Sequence, residues 1–214
     1  MPFAVGVAAL VTAGLFAADW WAVWHERHDV ERLAKPAAMV GLLSVALLAG
    51  ATDSVPGRWL VLALALGLLG DVLLLEDTPR RFVAGLAAFL VGHLAYVASF
   101  VTVGLDRPAL GWLGALALGA ALVVGRRILP GALADGGMVL GVAVGAYMGV
   151  IGAMAVTGWA TGRPLVGVGA TLFVVSDTVL ALARFVQPRR WSSVVVMVTY
   201  HLAQALIVIG LLLA

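Results

Sequence analysis

Apolar runs of about 20 residues, the length a helix needs to cross the hydrocarbon core of a bilayer, recur along this chain with only short polar breaks between them. The runs near Phe3–Trp24, Pro36–Ala51, Arg58–Leu75, Phe82–Val103, Ala109–Val124, Gly136–Gly158, Pro164–Val186 and Ser192–Ala214 read as eight transmembrane helices, the second and fifth being short. Hydrophobic residues make up 63% of the chain and charged residues 11%. Soluble domains carry roughly 45–50% and about 25%, so a chain like this could not cover its own surface in water. The 26 glycines fit the same reading, because small residues let transmembrane helices approach closely. The expected fold is all-α, a polytopic membrane helix bundle forming one transmembrane domain over residues 1–214.

The basic residues test this count and give it a direction. Of 13 Lys and Arg, ten lie in the odd-numbered loops: Arg27, Arg32 and Lys35; Arg80 and Arg81; Arg126 and Arg127; Arg184, Arg189 and Arg190. Arg58, Arg107 and Arg163 lie in the even loops. Because basic loops stay cytoplasmic, both termini are expected outside the cytoplasm, in a cell (inner) membrane. All seven tryptophans fall at or near a break, as interfacial belts require. No Lys or Arg precedes Arg27, so Phe3–Trp24 reads as a retained span, without the basic start of a cleaved signal peptide. The net charge of +2 then records topology, and no nucleic-acid partner is expected.

Two short patterns occur twice. Gly70-Asp71 is echoed by Ser176-Asp177, and His93-Leu94-Ala95 by His201-Leu202-Ala203, at offsets of 106 and 108 residues. Four spans separate each pair, so a duplication would give two parallel four-helix repeats about an axis along the membrane normal. Coincidence competes with this, since Leu and Ala are abundant.

Ionisable groups inside a span cost about 2.5–3.5 kcal/mol each on insertion scales and usually face a cavity or a partner. Asp71 and Asp177 stand out, both in the cytoplasmic halves of their spans. The bland alternative is that each only caps or pairs with a neighbouring helix. His93, Tyr96, Tyr147, Tyr200, His201 and Gln204 are the other polar candidates. His93 and Tyr96 share a helix face, as do Tyr200 and Gln204, whereas His201 points about 100° away. A satisfied interhelical hydrogen bond accounts for His201, and an interfacial position accounts for Asp19. With no cysteine, thiolate metal sites and cysteine nucleophiles are excluded. No His-x-x-x-His or Glu-x-x-His spacing favours a metal, and no Gly-x-Ser-x-Gly elbow favours a serine hydrolase. No metal or other cofactor is expected, and the paired carboxylates remain the strongest chemical feature.

At these residues the sequence resembles the YhhN family of multi-pass membrane proteins, which includes the lysoplasmalogenases. The ordered set that carries the resemblance is Lys35-Pro36, GDVLLL (70–75), GLAAFLVGHLAYVASF (85–100), AYMGVIGAM (146–154), LFVVSDTVLAL (172–182) and TYHLAQALI (199–207). It implies a lysophospholipid substrate of the vinyl-ether type, cleaved to a fatty aldehyde and a glycerophospho-ethanolamine or -choline. It also implies catalytic roles for Asp71 and Asp177. Lys35, His93, Tyr96, Tyr147, Ser176, Tyr200 and Gln204 are candidates for holding that substrate, Lys35 as a point charge for the phosphate or as a snorkelling anchor.

The chemistry suits two carboxyl groups. A vinyl ether is hydrolysed by slow protonation of its β-carbon, and water captures the oxocarbenium ion as a hemiacetal that collapses to the aldehyde. One carboxyl must supply a proton, and a nearby carboxylate must stabilise the cation and activate water; the two titrate as a coupled unit. The competing readings are a proton-coupled transporter, in which the same aspartates relay protons, and a lipid-binding membrane protein without catalysis.

Overall fold

The computed structural model describes residues 2–76 and 78–212, with the side chain of Pro2 left aside. These residues form α1 (Pro2–Trp24), α2 (His28–Leu48), α3 (Val55–Leu73), α4 (Pro79–Val103), α5 (Gly111–Ala160), α6 (Pro164–Phe185) and α7 (Ser192–Leu212), with short 3-10 turns at Ala51–Asp53 and Pro108–Leu110. Helix starts are written locally. Ser54 accepts from the Gly57 amide at the head of α3 and Thr78 from the Arg81 amide at the head of α4, each beside a first-turn proline. Among the described residues, six helical segments are long and apolar enough to cross a membrane: Phe3–Trp24, Val55–Leu73, Pro79–Val103, Pro108–Ala160, Pro164–Phe185 and Ser192–Leu212. This is an all-α membrane protein.

Two boundaries differ from the sequence reading. α2 begins at His28 and not at Pro36, because the charged segment holding Asp29, Glu31, Arg32 and Lys35 is already helical. Hydropathy cannot see a helix that starts in polar sequence. Its polar first turns also leave α2 outside those six segments, since they put too many charges within any membrane-length stretch of it. The other difference lies in α5, which runs on through Arg126, Arg127 and Pro130 where a loop is expected after Val124. Its helical geometry breaks only at Gly136 and Gly137, and Gly137 has φ 63°, a region that favours glycine. The arms on either side, 111–135 and 138–160, run antiparallel. Gly114 lies against the backbone of Ala155 and Val156, Gly152 against Leu118, Gly125 against Met148 and Gly141 against Leu133.

The chain divides into two compact units, one comprising α1–α4 with the last residues of α7, the other α5, α6 and most of α7. In the first, α3 and α4 form an antiparallel hairpin sealed by small residues: Gly92 meets Ala63 and Leu66, Gly70 meets the Phe89 ring, and Ser99 donates to the Pro56 carbonyl at 2.8 Å. Gly41 of α2 packs on Thr12 of α1. In the second, Gly167 of α6 packs on the Trp159 indole, whose N–H donates to Thr171 at 2.9 Å. Gly169 packs against Ala203 and Ile207 of α7.

Candidate functional site

In the first unit, three ionisable side chains lie on the inward stripes of three helices. The buried positions of α2 are Ala34, Lys35, Ala38, Met39, Leu42, Val45 and Ala46, a spacing of three and four that turns Lys35 inward with the apolar residues. The stripe of α3 is Leu60, Ala63, Leu64, Gly67, Gly70 and Asp71, so Asp71 enters the core in the last turn of its helix. The stripe of α1 is Thr12, Phe16, Asp19 and Ala22. Lys35 Nζ lies 3.3 Å from Asp71 Oδ1, with Lys35 6% and Asp71 1% exposed. Lys35, read from sequence as a phosphate contact or a snorkelling anchor, has its ammonium on a carboxylate.

Asp19 is the residue that sequence reasoning misplaced. It is fully buried among helices, which an interfacial acid facing lipid headgroups would not be, and Lys35, Glu31 and Asp71 all act on it electrostatically. Neither of its carboxylate oxygens has a hydrogen-bond partner among the described residues. The signal that finds it is spacing: Asp19 follows Thr12 and Phe16 by seven and three residues, whereas Phe3, Val7, Leu10 and Val11 on the other face are exposed. Elsewhere in this unit, His93 donates from Nδ1 to the Phe89 carbonyl at 2.6 Å, and Tyr96 packs its ring on Phe100. His93 and Tyr96 are both buried on the α4 face that the sequence assigns to them.

In the second unit, the Tyr147 hydroxyl donates to Asp177 Oδ2 at 2.6 Å. The register is again local in origin. Leu140, Val144, Tyr147, Ile151 and Met154 line the buried side of the second α5 arm. Val166, Ala170 and Phe173 carry the α6 stripe forward to Asp177, which is half-buried. Ser176 does not face that carboxylate; its hydroxyl donates across to the Val196 carbonyl of α7 at 3.1 Å. Tyr200 meets the edge of Phe173 with ring centroids 5.6 Å apart, and lies 5.5 Å from the His201 ring. His201 and Gln204 are buried as well. Ser176 and Tyr200 thus both contact the neighbouring helix of the α6–α7 pair.

Chemically, the two aspartates are held differently. Asp71 is paired with an ammonium in a water-poor interior, where removing one partner leaves an uncompensated charge. Asp177 accepts a short hydrogen bond from a phenol, which orients the carboxylate. The ion pairs Arg27–Asp29, Arg81–Glu76 and Arg184–Asp135 are more exposed, and pairs of that kind contribute little. Among the described residues no three His, Cys, Asp or Glu side chains converge to hold a metal ion.

The sequence profile of the YhhN family matches residues 30–211. The chain belongs to the YhhN family. Among characterised relatives, the lysoplasmalogenase TMEM86B of Homo sapiens is 40% identical over 150 residues, covering 70% of this chain and 62% of that protein. The lysoplasmalogenase TMEM86A of Homo sapiens is 30% identical, over 66% of this chain and 60% of its own length. A lysoplasmalogenase of Mycobacterium bovis is 31% identical over 191 residues, covering 86% of this chain and 71% of the relative. The chain thus spans about three-fifths of the human relatives it matches. No solved structure matches it. Asp71, Asp177 and all the substrate-binding candidates fall inside the family match, and Asp19 falls outside it.

Proposed function

We propose that this YhhN-family protein is a membrane-embedded lysoplasmalogenase, hydrolysing the vinyl-ether bond of lysoplasmalogens with Asp71 and Asp177 as its acid–base residues. The observation that carries the reading is that relatives named lysoplasmalogenase align over as much as 86% of the chain. The local surroundings of the aspartates support it: each has a named partner, Lys35 for Asp71 and Tyr147 for Asp177. A carboxyl donates a proton to the β-carbon of the vinyl ether, forming a C–H bond and leaving an oxocarbenium ion. A carboxylate takes a proton from water as its oxygen bonds to the cation. The hemiacetal then breaks its C–O bond to the glycerol oxygen, which leaves protonated, and the aldehyde departs. The proton used in the first step is returned, so no other reactant than water is consumed. His93, Tyr96, Tyr200 and Gln204 are the remaining polar side chains proposed to hold the substrate.

The same reading places the chain across the membrane eight times, counting α2 and each arm of α5, with both termini outside the cytoplasm. The bias of basic residues, ten on the side of the odd-numbered connections against three on the side of the even ones, supports it. The deciding experiment incubates purified protein in liposomes with either lysoplasmalogen or ordinary lysophospholipid. Free aldehyde from the vinyl-ether lipid, with no fatty acid from the ester lipid, is expected. No aldehyde from wild type overturns the hydrolase and leaves a proton-coupled carrier as the next candidate.

A further inference from the structure

We propose that Lys35 is shared by two buried carboxylates, and that Asp19 is a positioning residue acting on Asp71 through that ammonium. The proposal rests on the hydrolase reading for its catalytic consequence, whereas the cluster itself does not depend on that reading. Asp19 has no exposed surface and no hydrogen-bond partner for either oxygen among the described residues. A buried carboxylate in this state is costly unless a cation lies nearby. Where α1 and α2 run antiparallel, Gly41 meets Thr12, so Asp19, seven residues after Thr12, falls level with Lys35, six before Gly41, and Lys35 is the cation among the charged groups that act on it. That ammonium already lies 3.3 Å from Asp71, itself 1% exposed. One cation thus serves two acids in an interior that water does not screen.

The arrangement has a consequence beyond stability. An ammonium held by one carboxylate alone settles fully on it. Shared between two, it interacts less tightly with either, and the position of Nζ against Asp71 depends on Asp19. A second acid, buried and without a hydrogen-bond donor among the described residues, is then a means of setting how firmly Lys35 grips Asp71. Nothing in the family match reaches Asp19, which stands on α1 before residue 30.

The test is a double-mutant cycle on the full-length protein in detergent, read by apparent melting temperature, with aldehyde release measured in parallel. Lys35→Met leaves two buried carboxylates facing each other and should lower the melting temperature by about 5 °C or more, as breaking a buried pair does. Adding Asp19→Asn to Lys35→Met should restore part of that loss, whereas Asp19→Asn alone should not stabilise. If Lys35→Met gives no folded protein, recovery of folded yield in the double variant is the readout. An equal effect of Asp19→Asn with and without Lys35 overturns the sharing. For the catalytic role, Asp19→Asn should lower kcat for aldehyde release about tenfold, a loss of roughly one ion-pair's worth of positioning, with KM unchanged, and Asp19→Glu should recover most of it. Wild-type kcat in well-folded Asp19→Asn overturns the positioning role. If wild type itself releases no aldehyde, the hydrolase reading fails, and the thermal cycle still decides whether Lys35 is shared.

Discussion

Replacing Tyr147 by phenylalanine removes one oxygen and keeps the ring that fills the second arm of α5, so it isolates the hydroxyl's contact with Asp177. That contact is an O–H···O bond of 2.6 Å from a side chain only 9% exposed, so water is poorly placed to replace it. Hydrogen bonds to charged groups contribute about 1.5–3 kcal/mol, and the short distance belongs to the charge-assisted class. If the bond holds Asp177 in its reactive orientation through the transition state, its loss lowers turnover by about 10- to 150-fold at one decade per 1.36 kcal/mol. KM should change little, because the hydroxyl contacts a carboxylate and not the lipid. Aldehyde release is measured in liposomes and normalised to folded protein by size-exclusion profile. The wild-type rate per folded molecule in Tyr147→Phe would refute the reasoning. So would a rise in KM with unchanged kcat, which would make the hydroxyl a substrate contact.

The remaining expectations are simpler. Asp71→Asn and Asp177→Asn should each cut aldehyde release per folded molecule by at least about 10²-fold, since general acid–base catalysis contributes about 10²–10⁴-fold; Asp177→Asn should keep its folded yield, Asp71→Asn should lose some because it strips the buried Lys35 of a partner, and undiminished release from either removes that residue from the mechanism. A C-terminal reporter active only in the cytoplasm should stay silent and one active only outside should work, and the opposite pattern reverses the orientation. Gly114→Val pushes two methyls into the backbone of Ala155 and Val156 and should destabilise by about 1–3 kcal/mol or more, seen as a lower melting temperature. An unchanged melting temperature would mean that the two α5 arms are not packed there.

Much of the fold is legible because the forces that place helices here are local. The run Phe82–Val103 ends with α4 at Val103, and Pro164–Val186 starts with α6 at Pro164, where a proline at the first turn or a glycine past the end marks the limit. α2 is legible only from Pro36 onward, because its first two turns are charged and carry no apolar signal. The break in α5 is legible as a glycine pair, yet its place at residue 136 instead of 125 depends on how far the first arm can pack along the second.

The candidate site divides the same way. Asp71 and Asp177 are visible in the sequence, because an acid within an apolar run is conspicuous wherever it points. Their partners are not. Lys35 lies 36 positions before Asp71 and Tyr147 lies 30 before Asp177, and nothing in either segment records which helix will lie beside it. Asp19 shows the limit most plainly. Five residues from the end of α1, it has the sequence neighbourhood of an interfacial acid, and only the packing of α1 on α2 turns its stripe inward. Sequence by itself therefore determined that this chain is a helical membrane protein and which acids are out of place in it, since hydropathy and helix ends are properties of neighbouring residues. Tertiary structure alone decided which cation and which hydroxyl those acids meet, because ion pairs and hydrogen bonds act over a few ångströms between residues far apart in the chain.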